Sequence, residues 1–115
     1  VILCGVSAGS ICWYEKGVTD SWASNLSLMD CLGFIKGNNC PHYDGEKDRR
    51  PSVHNMICTN QLDSCYASDD GSALHFKNEE IFKSVNFYKN ANSYLISKNL
   101  DNEIIEEIIP GINIT

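Results

Sequence analysis

A serine between glycines, a histidine after a proline and an aspartate before a glycine could act together on a carbonyl carbon. Gly5-Val6-Ser7-Ala8-Gly9 has the G-x-S-x-G spacing of a nucleophile elbow. In such an elbow a strand turns abruptly into a helix and leaves one side chain at the tip. The tip is crowded on both sides, and flanking glycines remove the Cβ atoms that would clash. A helix near Ser10-Ile11-Cys12-Trp13-Tyr14 is predicted to follow. Its N-terminus would favour developing negative charge, with the Ala8 N–H as one oxyanion donor. Ser7 is then a candidate nucleophile, and a serine needs a base.

Three histidines could serve: His42, His54 and His75. Pro41 and the turn formers around it place His42 in a loop beyond the apolar stretch Leu32-Gly33-Phe34-Ile35. Loops at strand ends are where α/β folds keep their chemistry. His54 belongs to a predicted helix over 51–62, and His75 to a strand pattern, Ala73-Leu74-His75-Phe76. His42 is preferred. The third member is a carboxylate that holds the imidazole in one tautomer. Asp70, before Gly71, is the choice, with Asp69 the neighbour that could replace it. The same turn, Ser68-Asp69-Asp70-Gly71-Ser72, reads equally as a solvated turn capped by its own carboxylates. The order Ser7, His42, Asp70 differs from the serine–acid–histidine order of α/β-hydrolases. That order would need His54 or His75, with Asp30, Asp44 or Asp63 as the acid.

Joined at this spacing, the elbow, Cys40-Pro41-His42-Tyr43 and Asp69-Asp70-Gly71-Ser72-Ala73-Leu74 resemble peptidase family S51. The family contains an aspartyl dipeptidase, peptidase E, and the cyanophycinases. The resemblance spans about residues 1–76 and continues more weakly to the end. It implies a three-layer α/β fold like the class I glutamine amidotransferases, a largely parallel sheet with helices on both faces. It implies a serine peptidase in which Ser7 and His42 match the nucleophile and base. Asp70 stands where the family often has Glu. It implies no metal or cofactor, and as substrate a short peptide with an N-terminal aspartate. In this fold the second oxyanion donor comes from a Gly-rich loop early in the chain, and none precedes Val1. The expectation is therefore that 1–115 forms the C-terminal part of one domain. Three rivals remain: a cyanophycinase-like or other amide hydrolase, a non-catalytic amidotransferase-like binding domain, and a glutamine amidotransferase. The last normally carries Cys where Ser7 stands.

A substrate carboxylate calls for a cation. Arg49 and Arg50 follow His42 closely, and a guanidinium grips a carboxylate with two hydrogen bonds. Either could select an acidic residue, Arg49 slightly ahead. Alternating charges before Pro51 also describe a solvated helix start, the plainer reading. Trp13, Tyr14 and Trp22 could line a substrate cleft, but aromatics more often pack in a core or rim, and no role is assigned to them.

The elements that must position these groups are modest. The 115 residues, 43% of them apolar, suffice for one core. A formal charge of −6 argues against nucleic acid or an anionic membrane as partner. No apolar run approaches the roughly 18 residues of a membrane span, and no basic-then-apolar leader is present. The six cysteines include no C-x-x-C pair. Cys4 in an apolar run and Cys12 beside Trp13 suit buried free thiols, hence a reducing, cytoplasmic setting. Val1-Ile2-Leu3-Cys4 reads as a buried strand. Ile81 to Ile96, broken at Asn90-Ala91-Asn92, reads as a late β-hairpin. Glu103 to Ile109 fits a helical period better than alternation, although Ile also favours strands.

Overall fold

The computed structural model describes residues 1–20 and 25–114. Trp22, at the end of the loop expected after the elbow, lies outside the described residues. The elements are α1 (Ala8–Ile11), β1 (Tyr14–Thr19), β2 (Ser27–Asp30), β3 (Ile35–Cys40), α2 (Arg49–Cys58), β4 (Cys65–Ser68), β5 (Ser72–Lys77), β6 (Glu80–Asn86), β7 (Ser93–Lys98), β8 (Ile104–Ile108) and β9 (Gly111–Asn113). Six strands form the main sheet in the order β2-β1-β3-β4-β7-β8, and β5-β6-β9 form a smaller one. The fold is α/β. The central pairs β1–β3 and β3–β4 are parallel, and the flanking pairs β1–β2, β4–β7 and β7–β8 are antiparallel.

Strand alternation divides the main sheet into two faces. Val18, Cys40, Cys65, Ala67 and Ile96 project to one face and bury Val53, Met56 and Ile57 of α2, with Leu62 and Tyr43. On the other face Tyr14, Tyr66 and Phe76 form an edge-packed aromatic cluster, with ring centroids 5.4 to 6.2 Å apart. That cluster seats the small sheet against the large one. The result is three layers: α2, the main sheet, and the small sheet with α1.

Several expectations are corrected in detail. The elbow helix is a single turn, because Tyr14, Val18 and Thr19 draw the next residues into β1, a pull that β-branched and aromatic residues exert. α2 begins two residues before Pro51 and ends at Cys58. Proline is tolerated there because first-turn N–H groups have no intrahelical acceptor. Past its end, the Gln61 and Leu62 N–H groups both donate to the Met56 carbonyl, at 2.8 and 3.2 Å. Ile81 to Ile96 is not one hairpin: its two strands belong to different sheets, and the hairpins are β5–β6 and β7–β8. Glu103 to Ile109 contains strand β8 rather than a helix, because five residues pair with β7. Val1–Cys4 is exposed and forms no strand, since no described strand pairs with it.

The six cysteines are unpaired. Cys40 and Cys65 are buried in the core, where burial pushes the Cys40 thiol up to about 11 and the Cys65 thiol well above its usual value. Cys4, expected inside, is exposed.

Candidate active site

Ser7 sits at φ 56° and ψ −119°, immediately before α1. That backbone region is sparsely populated for residues with a Cβ and costs about 1–3 kcal/mol. The turn is tight enough that a Cβ on Gly5 would stand 2.0 Å from the Gly9 carbonyl oxygen. The Ser7 carbonyl accepts the Ser10 and Ile11 N–H groups, closing the helical turn. Ser10 Oγ then donates to Asn39 Oδ1 at 3.0 Å, and Asn39 Nδ2 donates to the Tyr66 carbonyl at 2.9 Å. A buried asparagine thus ties the elbow to β3 and β4.

His42 and Asp70 lie just beyond the C-terminal ends of these two adjacent parallel strands. Side chains in such a crevice face a common site. Ser7 Oγ is 2.8 Å from His42 Nε2, and His42 Nδ1 is 2.7 Å from Asp70 Oδ1. An ionised carboxylate only accepts hydrogen bonds, so Nδ1 carries the proton and Nε2 is left to accept from the serine hydroxyl. His42 also has φ 56°. The loop after it wraps Asp70: Asp44 Oδ1 accepts the Asp70 N–H at 2.8 Å, and a Cβ on Gly45 would stand 2.0 Å from Asp70 Oδ2.

Asp69, the alternative acid, lines the same cleft but makes its hydrogen bonds to residues other than His42. It is 5% exposed, and its Oδ2 accepts the Asn92 N–H at 3.1 Å and the Tyr94 O–H at 3.3 Å. Its Oδ1 has no hydrogen-bond partner. Burial raises this carboxyl above its usual range, with the nearby Asp44 charge acting in the same direction and the Asn92 N–H opposing. His54 and His75 are elsewhere. His54 meets Glu106, and His75 stacks edge-on with Phe82.

A cleft of about 340 Å³ opens at Ser7, lined by Val6, Tyr14, Pro41, Asp70, Leu74 and Phe87 among others. Tyr14, one of the aromatics weighed as cleft lining but assigned no role, contributes to its wall. Neither arginine lines it. Arg49 is 4% exposed; it donates to the Val18 carbonyl at 2.8 Å and to Glu46 Oε1 at 2.9 Å, with Asp20 3.7 Å away. Arg50 lies 4.6 Å over the Tyr43 ring with its Nε 3.6 Å from Glu106. Both guanidiniums are engaged in fastening α2, and neither reaches the cleft at Ser7 where an acidic substrate was expected to meet one of them. Glu106 and Gly45 carry no site reading from the sequence, Tyr43 enters it only as part of the Pro-His motif, and Asp44 only as an acid in the α/β-hydrolase order. Asp44-Gly45, a turn-forming dipeptide beside the candidate base, was the available signal.

No described helix is long and apolar enough to cross a membrane, and no described cluster of His, Cys, Asp and Glu has the makings of a metal site.

An elbow serine, with a histidine and an acid supplied by neighbouring parallel strands, defines an α/β protein of the nucleophile-elbow class. The chain belongs to peptidase family S51, whose family model matches residues 1–84. It is 49% identical over 110 residues to a Bacillus subtilis (strain 168) protein named Uncharacterized peptidase YgaJ. The match covers 96% of this chain and 47% of that protein, so the chain spans about half the relative's length.

Proposed function

We propose that this chain carries the nucleophile, base and acid of a serine-type peptidase acting on short peptides. The observation that carries this reading is the unbroken hydrogen-bonded line from Ser7 Oγ through His42 to Asp70 Oδ1. His42 Nε2 takes the hydroxyl proton as Ser7 Oγ attacks the scissile carbonyl carbon. Asp70 holds the ring through Nδ1–H and stabilises the imidazolium. The Ala8 N–H, first of α1, meets the developing oxyanion. His42 then protonates the leaving amine, and water, activated by the same ring, hydrolyses the acyl-enzyme. Membership of the peptidase family supports this chemistry.

The finer reading, a dipeptidase of the peptidase E type releasing N-terminal aspartate, rests on the family resemblance. Among the described residues lining the cleft there is no Lys or Arg to hold the aspartate side chain. A cytoplasmic setting rests on the six unpaired thiols. The test is turnover of Asp-Ala, Leu-Ala and β-aspartyl-arginine peptides by the complete protein that carries this chain. Ser7→Ala is expected to lower kcat by about 10³-fold or more. Unchanged turnover in that variant overturns the serine mechanism, and preference for Leu-Ala over Asp-Ala overturns the aspartate reading alone.

A further inference from the structure

Behind His42 lies a second polar cluster with no part in the chemistry above. Tyr43, 1% exposed, donates its phenol O–H to the Glu106 carboxylate on β8. The phenol oxygen also stands 3.1 Å from His54 Nε2 on α2. His54 Nε2 is 2.9 Å from the same Glu106 oxygen, and Arg50 Nε is 3.6 Å from it. The Arg50 guanidinium lies over two neighbouring rings, 4.6 Å from the Tyr43 centroid and 5.6 Å from that of Tyr94. Tyr94 O–H reaches Asp69, and the Tyr43 N–H donates to the Ser68 carbonyl at 3.0 Å. The cluster thus grips the residue after His42 and the residue before Asp70. It draws on the loop, α2, β7 and β8.

Two features show that the cluster answers a positional need. β8 turns a carboxylate toward α2 while Ile105 and Ile108 stand 37% and 60% exposed, the reverse of what burial alone would choose. And His42 holds a positive φ that its own side chain disfavours, so its ring stays on the Ser7–Asp70 line only if the adjacent backbone is fixed.

We propose that Tyr43, Glu106, His54 and Arg50 form a positioning network that keeps His42 in register with Ser7 and Asp70, acting through the buried Tyr43 phenol. Its kinetic consequence rests on the peptidase reading above; its effect on the His42 ring does not. Tyr43→Phe removes one O–H and keeps the ring under Arg50 and beside Tyr94. Glu106→Gln keeps an acceptor for the phenol and removes the charge. Both are compared with the complete wild-type protein by steady-state kinetics on the best peptide, by melting temperature, and by ¹⁵N resonances of the His42 imidazole. The expected result is a fall in kcat of about tenfold with KM within about twofold. With it should come broadening of the His42 Nδ1–H signal in a protein that remains folded. Glu106→Gln carries the test alone if Tyr43→Phe does not fold. The proposal is overturned if the His42 signal is unchanged, whether or not kcat or melting temperature falls, since lost stability alone would reflect packing. If the wild type hydrolyses no peptide, the peptidase reading fails and the His42 signal still decides this one.

Discussion

Closing the loop around Asp70 depends on Gly45, because any Cβ there would stand 2.0 Å from a carboxylate oxygen. Gly45→Ala should displace the acid and let the imidazole swing, lowering kcat by roughly 10- to 100-fold with little change in KM. Gly9→Ala is the control, since of the two glycines flanking Ser7 only Gly5 is crowded in the structure, and a Cβ on Gly9 meets nothing within 4 Å. Peptide turnover by the two variants checks this, and equal rates would count against the tight approach. The same contrast explains what could be read from residues alone. The Ser7 elbow, the loop setting of His42 and Asp70 before Gly71 are local signals, and the structure joins them. The work of Arg49 is only partly local. Its guanidinium answers to the Val18 carbonyl, Glu46 and Asp20, and no spacing near residue 49 points to a strand thirty-one residues earlier.

Between elements, α2 is held by apolar and ionic contacts of different character. Val53, Met56 and Ile57 enter the core. Ile57→Ala should cost about 2–5 kcal/mol, read as a lower urea midpoint at unchanged slope. The ionic part runs through Glu106. Its partial burial opposes ionisation, but hydrogen bonds from Tyr43 and His54 and the charge of Arg50 outweigh it and hold the carboxyl below its usual range. A carboxyl lowered on folding binds its proton more tightly in the unfolded chain. Its stabilisation is therefore present above the unfolded value of about 4.3 and is lost as pH falls through the folded one. Wild type should outmelt Glu106→Gln most at neutral pH, with the gap closing below about pH 4. A gap that is constant with pH would show that the charge is not what holds α2. β8 itself was misread from sequence because Glu106 occupies a position that an apolar residue would fill in a simple alternating strand. Its carboxylate faces inward only because Tyr43, His54 and Arg50 are there, and all three come from distant segments.

For the whole molecule, composition and charge bounded the class, and the α/β architecture followed from the family resemblance. The division into two sheets did not, because β6 pairs on its far side with β9, well down the chain, and pairing at that range leaves no local pattern. The arrangement of parallel and antiparallel pairs also has a bearing on how the chain reaches its native state. The hairpins β5–β6 and β7–β8 close short loops, whereas β3 and β4 meet only after residues 41–64, α2 included, have been looped out. Loop closure costs entropy before the contacts return it, so pairings distant in sequence form more slowly. Pulse-labelled hydrogen exchange during refolding of the complete protein should find the amides of the two hairpins protected before those of Asn39, Cys40 and Tyr66. Simultaneous protection would count against this order. Since His42 rides on the segment that closes β3 onto β4, the histidine and aspartate would come into line among the last events of folding, after both hairpins have formed.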